Sequence, residues 1–328
     1  MKRSAWFLVG ALLAALIGFS RPMAANAGMS TSPVPSLRFE VLARAGLQLG
    51  GLVWTGSRFV YTVEGQPQLY ASTPDGKNVR PFARVPRNSG EMRCIVSPGS
   101  GGWPTHMLYC HAADGPIYRI ADSGGTATAF ATVPSPRTAD GALAFDTVGR
   151  FGGALLAATG GSDSGPGGGV YAITPDGKVQ RVGRYDGPGG AENIAVAPAR
   201  FGSAAGQLLI TVDRHDHLGR LLAMDTHGAV RTLVGGLSWG LNPIVPLVAP
   251  GPSGGMPGLY VVDWLGRSLL FAPGDQLHAY HGDVFVGAER HGYMYVVQPD
   301  GTRYTVLPIH TNLRARDYNL EGVAFLAS

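Results

Sequence analysis

The chain has 328 residues, 49 of them glycine and 24 proline, with 45% apolar and only 15% charged residues. That balance excludes a disordered chain, which combines few apolar groups with much charge, and glycines without a three-residue period exclude collagen. The formal net charge of +4 falls to +1 once Lys2, Arg3 and Arg21 of the acid-free stretch 1–27 are set aside (4 − 3 = 1), so no electrostatic pull toward nucleic acid or anionic lipid is expected.

In chain order, residues 1–27 come first. Lys2 and Arg3 precede an apolar run over 5–19, and Ala25-Asn26-Ala27 follows at the spacing of a cleavage site. A basic head, a short apolar stretch and small residues at A-x-A spacing predict a secretory signal peptide, hence a periplasmic or extracellular protein. The rival reading, an uncleaved anchor, suffers from a run shorter than the ~20 residues a spanning helix needs. Residues 28–37 read as a flexible segment, and no later stretch is long and apolar enough to span a membrane.

From residue 38 on, short apolar or alternating runs recur with Gly and Pro between them, the pattern of strands rather than helices. A strand at 39–44 is expected at a seam. Three strands at 52–54, 59–64 and 69–71 then lead to Pro74-Asp75-Gly76; three more, at 92–97, 107–111 and 117–119, lead to Asp122-Ser123-Gly124. The pattern repeats at 142–146, 154–159 and 170–172 before Pro175-Asp176-Gly177, and at 194–198, 208–213 and 221–223 before Thr226-His227-Gly228. A fifth copy runs 244–250, 259–263 and 269–271 before Pro273-Gly274, with a short outer strand at 277–280. The sixth has 284–289 and 294–296 before Pro299-Asp300-Gly301, but its first strand stands at the C-terminus, 321–326. Asp-Gly supplies the backbone that a tight hairpin demands, which gives the repeat a mechanical cause.

Six such units predict an all-β fold, a six-bladed β-propeller over 38–328 whose ring is closed by the C-terminal strand. Repeats this degenerate leave five and seven blades open. Cys94 and Cys110 fall on neighbouring strands of the second unit, in register about a hairpin centred on Gly102, and predict a cross-strand disulfide in an oxidising compartment. Buried free thiols are the second reading. Two lone cysteines make no zinc pattern.

In an up-and-down blade the first strand starts on the face where the second strand ends. First-strand starts carry Glu91, Asp140, Glu192, Asn193, Asn242 and Glu321; second-strand ends carry Glu64, His111, Asp213, Asp263 and Glu289. All of these are expected on one face, the first group circling the channel mouth. Crowded carboxylates and amides suit a divalent cation, Ca²⁺ above all, and zinc poorly. The plainer alternative is that acids at strand ends cap backbone amides. On the same face lie a glycine-rich loop at 160–169, a turn Arg214-His215-Asp216-His217 that offers His215 as a base, the pair Arg290-His291, and Trp264 at a pocket rim. No nucleophile elbow at a strand-to-helix turn, P-loop, metalloprotease motif or dinucleotide fingerprint in a βαβ setting is expected.

The strand motifs Asp140-Gly141-Ala142-Leu143-Ala144-Phe145 and Glu321-Gly322-Val323-Ala324-Phe325, with Leu259-Tyr260-Val261-Val262-Asp263 and the Pro-Asp-Gly hairpins, resemble the NHL-type, gluconolactonase and strictosidine-synthase-like six-bladed propellers. In the lactonase branch a Glu, Asn residues and an Asp hold a divalent metal. The resemblance implies that Glu321, Asn193, Asn242 and Asp263 (or Asp213) would do so here, although Asn193-Ile194 and Asn242-Pro243 lack the Gly that follows Asn in that family. Two functions follow. One is a metal-dependent hydrolase of a small lactone or ester, with Glu192, Asp213 or His215 activating water and Glu64, Glu91, His111, Asp140, Trp264 and Glu289 around the substrate. The other is a non-catalytic propeller binding a glycan, peptide or protein. A quinone-dependent sugar dehydrogenase is a third, for which no site motif stands out.

Overall fold

In a computed structural model, described for residues 34–135, 141–160, 167–185, 189–213, 218–238, 240–248, 254–314 and 317–327, the strands form six four-stranded antiparallel blades around a channel. The predicted propeller is therefore present. Blades 1 to 4 are each a continuous meander. Blade 1 is Leu49–Trp54, Phe59–Val63, Gln68–Ser72 and Arg80–Arg84, and blade 2 is Arg93–Pro98, Thr105–His111, Pro116–Ile120 and Thr128–Thr132. Blade 3 is Gly141–Phe145, Leu155–Thr159, Gly169–Ile173 and Val179–Arg184; blade 4 is Ala191–Val196, Leu208–Val212, Leu218–Met224 and Val230–Ser238. A short strand, Gly125–Thr126, adds to the outer edge of blade 1.

Blades 5 and 6 depart from the sequence expectation. The inner strand Leu241–Pro246 pairs not with Gly258–Asp263 but with Val284–Ala288, followed by Met294–Asp300 and Arg303–Pro308. Gly258–Asp263 and Ser268–Pro273 belong to blade 6, between the C-terminal Leu320–Leu326 inside and Glu40–Arg44 outside. The C-terminal strand does close the ring, but in the blade next to the one expected. The expected strand at 277–280 lies in a 3-10 helix, Gly274–Tyr280, that carries the chain back to blade 5. Its two large apolar residues, Leu277 and Tyr280, are three apart and both buried, a spacing that suits a three-residue turn and not a strand. Asp275 Oδ1 accepts the Gln276 amide at 2.9 Å and starts the turn.

The Pro-Asp-Gly hairpins sit between third and fourth strands. Gly76 and Gly177 take φ of +73° and +83°, the conformation that favours glycine. In both, the preceding Thr hydroxyl (Thr73, Thr174) donates to the Asp carboxylate. The apolar core is divided among the six clefts between blades. Between blades 2 and 3, Trp103 packs edge-on to Tyr109 at 5.3 Å and Phe145 at 4.9 Å, and its Nε1 donates to Gly153 O at 2.8 Å. Cys94 and Cys110 stand opposite each other and are joined by the expected disulfide. Among the described residues no helix is long and apolar enough to cross a membrane.

Candidate functional site

Each inner-strand start opposes the end of the second strand in its sheet: Leu49 with Val63, Arg93 with His111, Gly141 with Thr159, Ala191 with Val212, Leu241 with Ala288 and Leu320 with Asp263. The exchange between blades 5 and 6 leaves this rule intact, because it moves whole strands without reversing them. The described acids and amides therefore collect at one end of the channel. Asp140, His215 and the loop centre at 161–166 lie outside the described residues.

Arg93 occupies the centre of this mouth. It is the second charged residue of Glu91-Met92-Arg93, and its side chain is only 5% exposed. One guanidinium nitrogen donates to Glu91 Oε2 at 2.5 Å, Asn242 Oδ1 at 2.8 Å and Glu321 Oε2 at 3.3 Å. Asn242 Nδ2 in turn donates to Glu321 Oε2 at 2.7 Å, and Asn319 Nδ2 to Glu321 Oε1 at 3.4 Å. Arg93, Asn242 and Glu321, from blades 2, 5 and 6, thus form one buried circuit, with Glu91 and Asn319 bonded at its edge. Burial and the charges of Glu91 and Glu289 hold the Glu321 carboxyl well above the usual range, with Arg93 pulling the other way.

The four residues expected to ligate a metal divide into three groups. Glu321 and Asn242 meet, but around Arg93. Asn193 spends its Oδ1 on the Ile194 amide at 2.9 Å. Asp263 caps the turn after its strand: Oδ2 accepts Gly266 N at 3.0 Å and Ser268 Oγ at 3.3 Å, and Oδ1 accepts Asn319 N at 3.2 Å. That is the plainer reading of a strand-end acid, and it fixes the backbone from which Asn319 reaches Glu321. Among the described residues no group of three or more His, Cys, Asp or Glu is placed to hold a metal ion.

A second feature is the pair Glu289 and Asp213, at the second-strand ends of blades 5 and 4. Burial first, then the charges of Asp213 and Glu91, push Glu289 up to about 8, and its carboxyl hydrogen-bonds the Asp213 side chain. Gly240 packs so tightly against the Asp213 carboxylate that no side chain fits at 240. Glu64 is exposed at the rim, its carboxyl raised by partial burial and by Glu91. Glu192 is 9% exposed on blade 4. Trp264 is half-buried, its amide bonded to Asn319 O at 2.8 Å.

His111, expected among the substrate contacts, is wholly buried. Its Nδ1 lies 3.3 Å from Ala142 O of the next blade, and a Cβ at Gly141 would come within 2.7 Å of the ring. Desolvation lowers it to about 4, so it is neutral and ties blades 2 and 3 together. Threonines stitch other blades in a similar way. Thr62 Oγ1 accepts Gly51 N at 2.7 Å and donates to Met92 O of the next blade at 2.8 Å, while Thr211 Oγ1 accepts Asn193 N at 3.1 Å and reaches Asn242 O at 2.8 Å. Arg93 and these threonines were missed by reading strand ends alone. The signal was an arginine at the start of a strand whose following residues line an apolar channel.

Beneath the mouth the channel is apolar. Its cavity of ≈ 380 Å³ is lined by all six inner strands, with Arg93 and Asn193 at the mouth end.

No family model and no curated protein matches the chain. Solved structures do match in fold. A PQQ-bound aldose sugar dehydrogenase from Streptomyces coelicolor aligns with a TM-score of 0.52 and 14% identity over 85% of this chain and 90% of that one. A glucose dehydrogenase aligns with a TM-score of 0.53 and 12% identity over 83% and 88%. At such identities the likeness is one of fold.

Proposed function

We propose that the mouth binds a small sugar-derived lactone or ester and hydrolyses it by proton transfer between Asp213 and Glu289. The observation that carries this reading is their hydrogen-bonded pairing at the mouth. Two carboxyl groups joined by a hydrogen bond, one of them raised to about 8 by burial, can serve as an acid and its partner base. Asp213 takes a proton from water as the water oxygen bonds to the carbonyl carbon. The ester C–O bond then breaks, and the leaving oxygen takes the proton from Glu289. Passage of the proton from Asp213 to Glu289 along their hydrogen bond restores the pair.

Neither cofactor suggested by related propellers fits the described residues. A divalent ion at Glu321 and Asn242 would face the guanidinium of Arg93, a like charge in the same place. PQQ carries three carboxylates, and the described mouth offers the acids Glu64, Glu91, Asp213, Glu289 and Glu321 against Arg93, which two of them bond through one nitrogen, and Arg290, whose charge already acts on Glu289. The sugar-oxidising neighbours therefore support a sugar-sized ligand more than their redox chemistry. Export through residues 1–27 is part of the same proposal; the disulfide, typical of oxidising compartments, supports it.

The test is hydrolysis of aldonolactones and small esters followed in a pH-stat with excess chelator. Turnover that survives chelation and drops on the order of 10²-fold in Glu289→Gln and Asp213→Asn is the expected result. Loss on chelation would restore the metal-dependent mechanism. Calorimetric binding without turnover would favour the second reading, a pure binding module, which the hydrogen bonds joining Arg93, Asn242 and Glu321 support.

A further inference from the structure

We infer that the channel beneath the mouth is a separate ligand site, reached from the opposite face, that takes an uncharged apolar small molecule with at most one hydrogen-bonding group. Its ≈ 380 Å³ falls in the range of about 300–1,000 Å³ typical of small-molecule sites. The walls are side chains such as Leu52, Ile95, Leu143, Ile194, Val245 and Phe325. Leu52, Val53, Ile95, Val96, Val245 and Val323 are only half-buried although they belong to the innermost strands of the ring, so the surface they keep is channel surface.

Water is a poor occupant of such a space. A buried water needs two to four polar partners, and the lining side chains offer few. Displacing it with an apolar molecule is favourable for the same reason that burying a core side chain is.

Charge narrows the ligand class. Arg93 is the one charged residue of the lining among the described residues, and its charge is met by Glu91 and Glu321, which do not line the cavity. An anionic head would compete with two carboxylates already bound there, and a cationic head would find no carboxylate on the wall. Asn193 remains. Its Oδ1 is taken by Ile194, while its Nδ2 has no partner among the described residues and can donate one bond to a hydroxyl or carbonyl.

The buried and mutually bonded Arg93, Asn242 and Glu321 occupy the mouth end. At the other end the rim includes Thr147 and Val248, both exposed and outside the packed clusters between blades, Val248 at 42%. A ligand therefore arrives from the face of the Pro-Asp-Gly hairpins.

The experiment is titration of the purified full chain with the uncharged fluorophore N-phenyl-1-naphthylamine, with 1-decanol and decanoate as competitors. The site predicts saturable one-to-one binding, displaced at least tenfold more effectively by decanol than by decanoate. It also predicts at least a tenfold loss of affinity in Thr147→Trp and in Val248→Trp, with circular dichroism and melting temperature unchanged. Glu289→Gln leaves probe binding as it was, which separates this site from the mouth. Absence of saturable binding, equal displacement by decanoate, or rim variants that bind as tightly as the parent would overturn the inference.

Discussion

The two ends of the six inner strands obey different physics. At the mouth, Arg93, Asn242 and Glu321 are buried, Glu91 is partly buried, and the four are joined by hydrogen bonds. A few residues further along the same strands, the channel wall is aliphatic and aromatic and has almost nothing to commit. The difference teaches that buried charge is tolerated only where partners converge from several blades, and that convergence happens at strand ends, where loops supply amides. A single substitution should therefore matter far more at the mouth than along the wall.

The largest effect is expected from Arg93→Leu, which leaves Glu91 and Glu321 facing each other without a cation. Breaking a buried ion pair on one side costs about 3–5 kcal/mol, and urea unfolding of the variant measures it. A second change, Glu321→Gln in the Arg93→Leu background, should recover part of that loss. If Arg93→Leu unfolds like the parent, the circuit is not what holds the mouth.

The buried titratable groups come next, and they act in opposite directions over overlapping pH windows. His111 resists protonation in the fold down to about 4 while the unfolded chain takes the proton near 6.5, so its stabilisation is lost as pH falls from 6.5 to 4. Glu289 keeps its proton up to about 8 against about 4.5 unfolded, so its stabilisation is lost as pH rises between those values. Each amounts to at most a few kcal/mol, at about 1.4 kcal/mol per pKa unit. Where the two windows overlap, between about 4.5 and 6.5, the slopes cancel and melting temperature should be flat, falling below and above; Glu289→Gln should remove the fall on the alkaline side.

Replacing both Cys94 and Cys110 by serine should cost about 3 kcal/mol for a loop of this length, read in the same unfolding experiment under non-reducing conditions. The smallest effect belongs to the wall. Val323→Ala should cost only about 1 kcal/mol, because one side of Val323 already borders a cavity and not packed atoms. A cost as large as that of Arg93→Leu would erase the contrast between mouth and wall.

Much of this was legible in the residues. The hairpins at Asp75-Gly76 and Asp176-Gly177, the facing of Cys94 and Cys110, and the gathering of Glu91, Asn242, Glu289 and Glu321 on one face all follow from local rules of turn chemistry and strand direction. The exchange between blades 5 and 6 did not follow, because an apolar strand such as Leu241–Pro246 presents the same edge to either of two neighbours. A hint existed in spacing: Gly274 and Gly301 are 27 residues apart (301 − 274), against 51 between Gly177 and Gly228 (228 − 177). That interval is too short for a complete blade.

By itself, then, the sequence determined most of the strands (not 277–280), the Asp-Gly turns, the disulfide register and the face on which acids collect, since each depends on neighbours along the chain or across one hairpin. Only the tertiary structure decided that a guanidinium sits where a metal was expected, that Asp263 is consumed by backbone amides, and that His111 is sealed between blades. Those outcomes depend on contacts between residues as far apart as Arg93 and Glu321, 228 positions along the chain. No local pattern records which of several polar groups reaches such a meeting point first.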